Sequence, residues 1–254
     1  MSPSTDLREN REFASEIKFL IDPATAVQVH DWARIRLAAD PNASGDSEDA
    51  YQITSLYFDT ESFDVFHRRG SFGRSKYRIR RYGQSEVAFL ERKLKTRGLL
   101  TKRRSIIKLD ELGRLGNDES APAWNGRWFH RRLSARRLRP VCQINYRRTA
   151  RVAMTQFGPI RLTLDEEVRA LPVTSLKFSD SKDMTPLSEQ QVILELKYRF
   201  EMPVLFRLLV EEFALNPQAV SKYRLAAAAL GLVTQFAAPA DSSVPSAPTV
   251  CAIG

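Results

Sequence analysis

Cysteine and histidine are almost missing from this chain. Two cysteines, Cys142 and Cys251, are too few for a disulfide scaffold in 254 residues, and they form neither a CxxC pair nor a zinc pattern. A reducing compartment is the simplest expectation. The three histidines, His30, His67 and His130, stand in no base-like pattern with a serine or cysteine. Each reads as a surface or hydrogen-bonded histidine. There is no GxxxxGK[ST] phosphate loop and no Rossmann glycine fingerprint after a strand. Long hydrophobic runs are lacking too: the longest, Leu225 to Val233, falls short of the ~20 residues a bilayer span needs. The opening MSPSTDLRENREF is polar and has no basic-then-apolar leader, so a soluble, cytoplasmic protein is expected.

Positive charge is what the chain has in excess. Lysine and arginine number 39 against 30 acidic residues, a formal charge of +9. That balance points to anionic partners: nucleic acid, an anionic membrane or phosphorylated small molecules. With 43% hydrophobic and 27% charged residues, the chain is expected to be globular with a substantial core.

Residues 1–11 read as a flexible lead-in, 12–232 as one folded domain and 233–254, rich in Pro, Ser and Ala, as a disordered tail. FASEIKFLI (13–21) reads as a strand. Asp22-Pro23 starts a helix to about Leu37, with Val27, Trp32 and Ile35 as its core contacts. Residues 40–49 are a polar loop. Strands follow at 51–58, 75–82, 86–95 and 101–109, the last two joined near Arg97-Gly98. Asp59 reads as the cap of a turn. Residues 110–122 are a polar connector, and Trp124 to Leu138 is a helix carrying Arg127, Arg131, Arg132, Arg136 and Arg137. That basic helix is a solvated face, an approach path that steers anions, or a contact for nucleic acid or an acidic partner. Strands at 141–154, 160–170 and 191–200 and helices from Pro203 and Ser221 complete the order. The class is α+β with an antiparallel sheet of about eight strands.

Charge recurs at spacing two on nearly every strand. Glu16 and Lys18, Arg78 and Arg80, Glu91 and Lys93, Lys102 and Arg104, Arg161 and Asp165, and Glu195 and Lys197 each share a face, with Arg148 between. Opposite faces are apolar, as at Ile17, Phe19, Ile79, Leu94, Leu162 and Leu194. In a one-sided sheet such rows simply face water. In a closed barrel they would face one another, and the cations would repel unless an anion filled the lumen. A chain of phosphates suits, since Arg and Lys meet phosphate oxygens with charge-assisted bonds. The interspersed carboxylates Glu16, Glu91 and Glu195 would then hold a divalent metal bridging the phosphates.

EIKF (16–19), SLYFDT (55–60), KYRIRRYG (76–83), FLERK (89–93), YRRTA (146–150), RLTLD (161–165), ILELKY (193–198) and SKY (221–223) together resemble the VTC domain. This is the catalytic domain of polyphosphate polymerases, within the CYTH-like triphosphate tunnel metalloenzymes. The resemblance implies an antiparallel β-barrel, the triphosphate tunnel, with helices packed outside. It implies transfer of the γ-phosphoryl group of ATP to a growing inorganic polyphosphate chain, with Mn²⁺ or Mg²⁺. By it, Lys18, Arg78, Arg80, Lys93, Arg148 and Lys222 would bind phosphates, Lys102, Arg104, Arg161 and Lys197 would add to them, and Glu195 would bind the metal. Many tunnel enzymes open with Glu-x-Glu-x-Lys; here Ala14 replaces the first Glu, which fits the polymerase branch better than the hydrolase and cyclase branches. Hydrolysis of triphosphate or polyphosphate, and non-catalytic binding of polyphosphate or RNA, are the alternatives; no specific nucleic-acid partner is expected. The sensor domain and membrane spans of the eukaryotic polymerases are not seen in the sequence.

Overall fold

The computed structural model describes residues 15–40, 49–96, 99–117, 123–187 and 190–233. The expected lead-in, most of the 40–49 loop, the turn at Arg97-Gly98 and the tail past Val233 lie outside the described residues. In chain order the elements are β1 (Ser15–Ile21), α1 (Pro23–Arg36), β2 (Ala38–Ala39), β3 (Ala50–Asp59) and α2 (Asp64–His67). A 3-10 turn at Gly70–Arg74 leads to β4 (Ser75–Tyr82), β5 (Val87–Thr96) and β6 (Leu99–Lys108). After a second 3-10 segment, Leu109–Gly116, come α3 (Arg127–Ala135), β7 (Arg139–Thr155), β8 (Gly158–Pro172), β9 (Thr185–Pro186), β10 (Val192–Tyr198), α4 (Val204–Glu212) and α5 (Lys222–Ala229).

One antiparallel sheet runs β1-β10-β8-β7-β3-β4-β5-β6, with the two-residue strands β2 and β9 at its margins. The expected eight-strand path is therefore present, but backbone pairing does not close it into a barrel. Among the described residues β1 and β6 are free ends of the path. Twist curls the sheet, and register shifts at Tyr57/Phe58 and Asn145/Arg147 add to the bend. The wall is completed by side chains instead: Lys93 Nζ on β5 donates to Glu16 Oε2 on β1 at 2.9 Å.

The convex face carries the core. Against β1, β10 and β8, Phe19, Leu162, Leu164, Leu194 and Leu196 pack with α1 and α4 through Trp32, Phe206 and Leu209. Asp22 caps α1 as expected, its Oδ1 accepting the Thr25 N–H at 2.9 Å. Of the three side chains expected to anchor α1, only Trp32 is buried. Val27 and Ile35 are 62% and 81% exposed. The helix instead buries Ala26, Val29 and Ala33, whose small size lets it lie close to the strands. Against β3, β4 and β5, Leu56, Phe58, Ile79 and Leu90 pack with Phe129 and Leu133 of α3. That helix is shorter than expected, since Gly126 precedes it and Arg137, at φ 49, turns the chain into β7. The expected connector 110–122 starts as structure: Leu112 and Leu115 of the second 3-10 segment are buried in the same core.

The concave face is polar along most of its length. It becomes apolar toward one end, where Cys142, Ile144, Ala170 and Ile193 share a buried cluster with Tyr223, Ala226 and Ala227 of α5. This helix plugs that end of the curled sheet and brings its first residue, Lys222, to the polar region.

Candidate active site

Four carboxylates organise the concave face. Glu195 on β10, 4% exposed, accepts from Lys18 Nζ at 2.7 Å and from Lys222 Nζ at 3.3 Å, with Lys197 Nζ at 3.1 Å. Asp165 on β8 is fully buried and takes Arg148 in a two-pronged contact at 2.5 and 2.6 Å, with Lys222 closing on the same carboxylate. Glu91 on β5 takes Arg78 Nε at 2.5 Å, with Arg104 and Lys102 at 3.3 and 3.6 Å. Glu16 on β1 bridges Lys18 and Lys93 at 3.1 and 2.9 Å. A buried charge is tolerated only when paired and hydrogen-bonded, so these contacts are what lets the cations stand this close together.

The cations still outnumber the carboxylates. Around a cavity of about 260 Å³ stand Lys18, Lys76, Arg78, Arg80, Lys93, Lys102, Arg148, Lys197 and Lys222, against Glu16, Glu91 and Glu195. The ionisation states register that imbalance. Burial alone would raise the Glu195 and Glu91 carboxyls. Lys18 and Lys197 around the first, and Arg78 and Arg80 around the second, overcome it and hold both well below the usual range. Glu16 is likewise lowered despite its burial, chiefly by Lys197. For Lys197, burial wins over the pull of Glu195 and Glu16 and brings it down to about 8. Lys76, though open to solvent at the cavity mouth, also falls to about 8, because its ammonium is partly desolvated there and because Lys18, Lys93 and Arg78 stand nearby.

Tyrosines line the same space. The Tyr146 ring gathers Lys222, Arg148 and Arg80 at 5.0, 5.4 and 6.0 Å from its centre, and its hydroxyl accepts from Arg80 at 2.9 Å. The Tyr57 hydroxyl accepts from Arg78 at 3.3 Å, and its ring stacks on Tyr223 at 5.6 Å. Burial would raise the Tyr57 hydroxyl, but Arg78 and Arg80 pull it below its ordinary value.

The structure brings together Lys18, Arg78, Arg80, Lys93, Lys102, Arg148, Lys197, Lys222, Glu16, Glu91 and Glu195. It leaves two expected residues off the cavity wall. Arg104 stacks 3.8 Å from the Phe89 ring centre and donates to the Tyr82 hydroxyl at 3.0 Å. Arg161 pairs with buried Asp40 and donates to the Tyr51 hydroxyl at 3.0 Å. The sequence reading missed Lys76 and the three tyrosines. Lys76 continues the spacing of Arg78 and Arg80 and was therefore legible. Asp59 acts as a cap: it accepts the Thr60, Val65 and Phe66 N–H groups at 2.7, 2.8 and 2.9 Å. It also receives the Tyr223 hydroxyl, which ties α5 to β3. Buried His130 is satisfied by the Leu115 carbonyl at 2.8 Å.

Whether these carboxylates suit a divalent metal depends on which have room for one. Among the described residues no three His, Cys, Asp or Glu side chains converge as a metal cage. Glu91 is engaged by three cations, Arg78, Lys102 and Arg104, as Glu195 is by Lys18, Lys197 and Lys222. All three line the cavity, and Glu16 and Glu195 share Lys18. Two carboxylates plus phosphate oxygens is how Mg²⁺ is commonly held, without an all-protein cage.

Comparison with known proteins places this geometry. The family model of the VTC domain matches residues 13–231. No curated protein matches the chain. Among solved structures, a candidate adenylate cyclase from Bacillus halodurans superposes with a TM-score of 0.51 at 15% identity, over 81% of this chain and 92% of that one. The two share a fold. A candidate adenylyl cyclase from Hippeastrum, described as having a dominant triphosphatase activity, gives a TM-score of 0.47 at 15% identity over 84% and 94%.

Proposed function

The chain belongs to the VTC domain family, and from that premise we propose that it is a polyphosphate polymerase, moving the γ-phosphoryl group of ATP onto inorganic polyphosphate. The observation that carries this reading is the cavity wall: nine cationic side chains, from strands on both sides of the curl and from α5, around about 260 Å³. A cleft lined mostly by one sign of charge focuses its field and concentrates ions of the opposite sign, here a polyanion.

Reaction requires no protein nucleophile. A terminal phosphate oxygen of the polymer attacks the γ-phosphorus of ATP, a new P–O–P bond forms, and the bond to the β-phosphate bridging oxygen breaks to release ADP. Lys18, Arg78, Arg80, Lys93, Arg148 and Lys222 align the two chains and stabilise charge spreading over the transferred group. Lys76, Lys102 and Lys197 add to that field. The carboxylates keep the lysines positioned while the cavity is empty and hand them to the phosphates when it fills. Glu16 and Glu195 are the side chains that would hold Mn²⁺ or Mg²⁺, which when bound supplies further charge neutralisation between phosphates.

Hydrolysis of triphosphate is the second reading, and one observation favours it. Lys76 and Lys197, brought down to about 8, are partly neutral in mildly alkaline solution and could accept a proton from an attacking water. Incubation with ATP and Mn²⁺ or Mg²⁺ separates the readings by product. A polymerase yields ADP and long phosphate chains. A hydrolase releases orthophosphate from added tripolyphosphate. A binding module does neither, and retains the polymer in a salt-dependent way.

No described helix is long and apolar enough to cross a membrane.

A further inference from the structure

Positive surface does not end at the cavity. Lys76, exposed at its open side, donates to Ser221 Oγ at 3.0 Å. Ser221 caps α5. Three residues on, exposed Arg224 lays its guanidinium 5.1 Å from the ring centre of Phe66 on α2. The exposed pair Arg68 and Arg69 follows α2. Phe72 comes next, and Arg136 covers it at 4.9 Å while donating to Ser71 Oγ at 3.1 Å. Arg136 ends α3, and exposed Arg137 and Arg139 continue past it along an open groove of about 710 Å³. Contact by contact, cations run from the cavity mouth over α2 to the end of α3.

Ordinary surface electrostatics does not explain the whole run. The helix dipole favours Arg136 and Arg137 at the C-terminal end of α3. It disfavours Arg224 in the first turn of α5 and is silent on Arg139 in β7. Residues 123–140 hold six arginines and no carboxylate. Two carboxylates, Glu61 and Asp64, stand on the groove's wall against Arg136, Arg137 and Arg139, and Asp64 pairs with Arg69 at 3.3 Å. Among the described residues no carboxylate pairs with Arg68, Arg137, Arg139 or Arg224.

The geometry points to an external track on which a long phosphate polymer lies as it enters or leaves the cavity. This rests on the polyphosphate reading of the cavity, with which the track is continuous. A bare phosphate polymer suits it better than single-stranded nucleic acid, which gains affinity by stacking bases on open aromatic faces. Along the track the two rings already have an arginine over them: Arg224 on Phe66 and Arg136 on Phe72.

A triple variant, Arg68→Asn, Arg137→Asn and Arg139→Gln, tests the track. Asn is chosen at the first two positions because Arg68 and Arg137 have positive φ, which Asn tolerates. Dissociation constants are measured for long-chain polyphosphate and for tripolyphosphate over a range of salt. Long-chain binding is expected to weaken about tenfold or more, and its salt slope to become shallower by about two, from three lost phosphate contacts. Tripolyphosphate, held inside the cavity, should bind within about twofold of the parent. Unchanged long-chain affinity and slope, or equal losses for both ligands, overturns the track. Should the triple variant melt early, the pair Arg139→Gln and Arg224→Gln is expected to weaken long-chain binding severalfold, with a salt slope shallower by about 1.4 from two lost contacts and tripolyphosphate again within about twofold. A parent that binds long chains in this manner but not tripolyphosphate would sink the cavity reading and leave the track standing. Single-stranded DNA of equal phosphate number binding as tightly as polyphosphate, and losing affinity in the variant, overturns the choice of polymer.

Discussion

Lys18 and Glu195 face each other directly across the β1–β10 register, with Nζ 2.7 Å from Oε1. Glu195 is also the carboxylate that Lys222 and Lys197 approach, so one buried acid compensates three lysines from three elements. Replacing it with Gln removes that compensation and leaves the lysines. Breaking a buried ion pair from one side costs about 3–5 kcal/mol. Glu195→Gln should therefore melt well below the parent without ligand. Tripolyphosphate should raise its midpoint more than the parent's, because the phosphates take over the lost negative charge. Turnover should also lose its dependence on added metal. Thermal melts with and without tripolyphosphate read the first expectation and a metal titration the second. Parent-like metal dependence would remove Glu195 from the metal site.

Lys93 offers the opposite case. Its side chain is 41% exposed and its partner is half-buried Glu16. Such a pair contributes at most about 1 kcal/mol to folding. A charge-assisted bond to phosphate is stronger, about 1.5–3 kcal/mol. Lys93→Ala should lower kcat/KM about 10- to 100-fold with a nearly unchanged melting midpoint. Steady-state kinetics and a melt on one preparation decide it. Near-normal activity would reject the phosphate-binding role.

Which of these residues could be read from the sequence followed from strand geometry. Spacing two placed Arg78 with Arg80 and Glu91 with Lys93 on one face, and the fold keeps those pairings across β4 and β5. Register was hidden. Nothing local announces that Lys18 lies opposite Glu195 or that Arg148 meets Asp165, since these contacts join residues 177 and 17 positions apart. Arg104 and Arg161 obey the same alternation as the cavity residues, yet Arg104 reaches the cavity only through Glu91, held between Phe89 and Tyr82, and Asp40 captures Arg161. Alternation fixes the face but not the distance along it. In α1, residue size misled: large Val27 and Ile35 resemble core residues, but Ala26 and Ala33 set the buried stripe. Closure was also beyond local reading, because side chains from β1 and β5 complete the wall where a ladder was expected.

Lys76 and Lys197 give the site a pH signature. Both titrate near 8, against an ordinary 10.5. Between about 8 and 10.5 the unfolded chain binds more protons at these positions than the folded one, so stability rises with pH over that window. Below about 8 both states are protonated and the contribution is flat. A polyanion prefers the charged lysines, so its binding takes up protons above about 8 and weakens as pH rises. Ligand-free stability and ligand affinity should thus move in opposite directions. Melts across the window, and tripolyphosphate calorimetry in two buffers of different ionisation enthalpy, measure both. Binding above pH 8 without proton uptake would refute the assignment.

Tyr223 separates the plug from the chemistry. Its hydroxyl donates to Asp59, whose carboxylate also holds the start of α2, and its ring stacks on Tyr57 in the cavity wall. Its neighbour Lys222 reaches Glu195 and Asp165. Tyr223→Phe keeps the ring and removes one bond to a buried carboxylate, which still accepts three backbone N–H groups. Stability should fall by about 1.5–3 kcal/mol while turnover changes less than about threefold. Tyr223→Ala removes the ring that seats α5, leaves a cavity and frees Lys222 to move. It should cost about 3–5 kcal/mol and lower kcat more than it raises KM. Denaturant titrations and steady-state kinetics on the two variants make the comparison. If Phe and Ala at this position lower kcat equally, the hydroxyl rather than the seating of α5 governs the site, and the plug is not what positions Lys222.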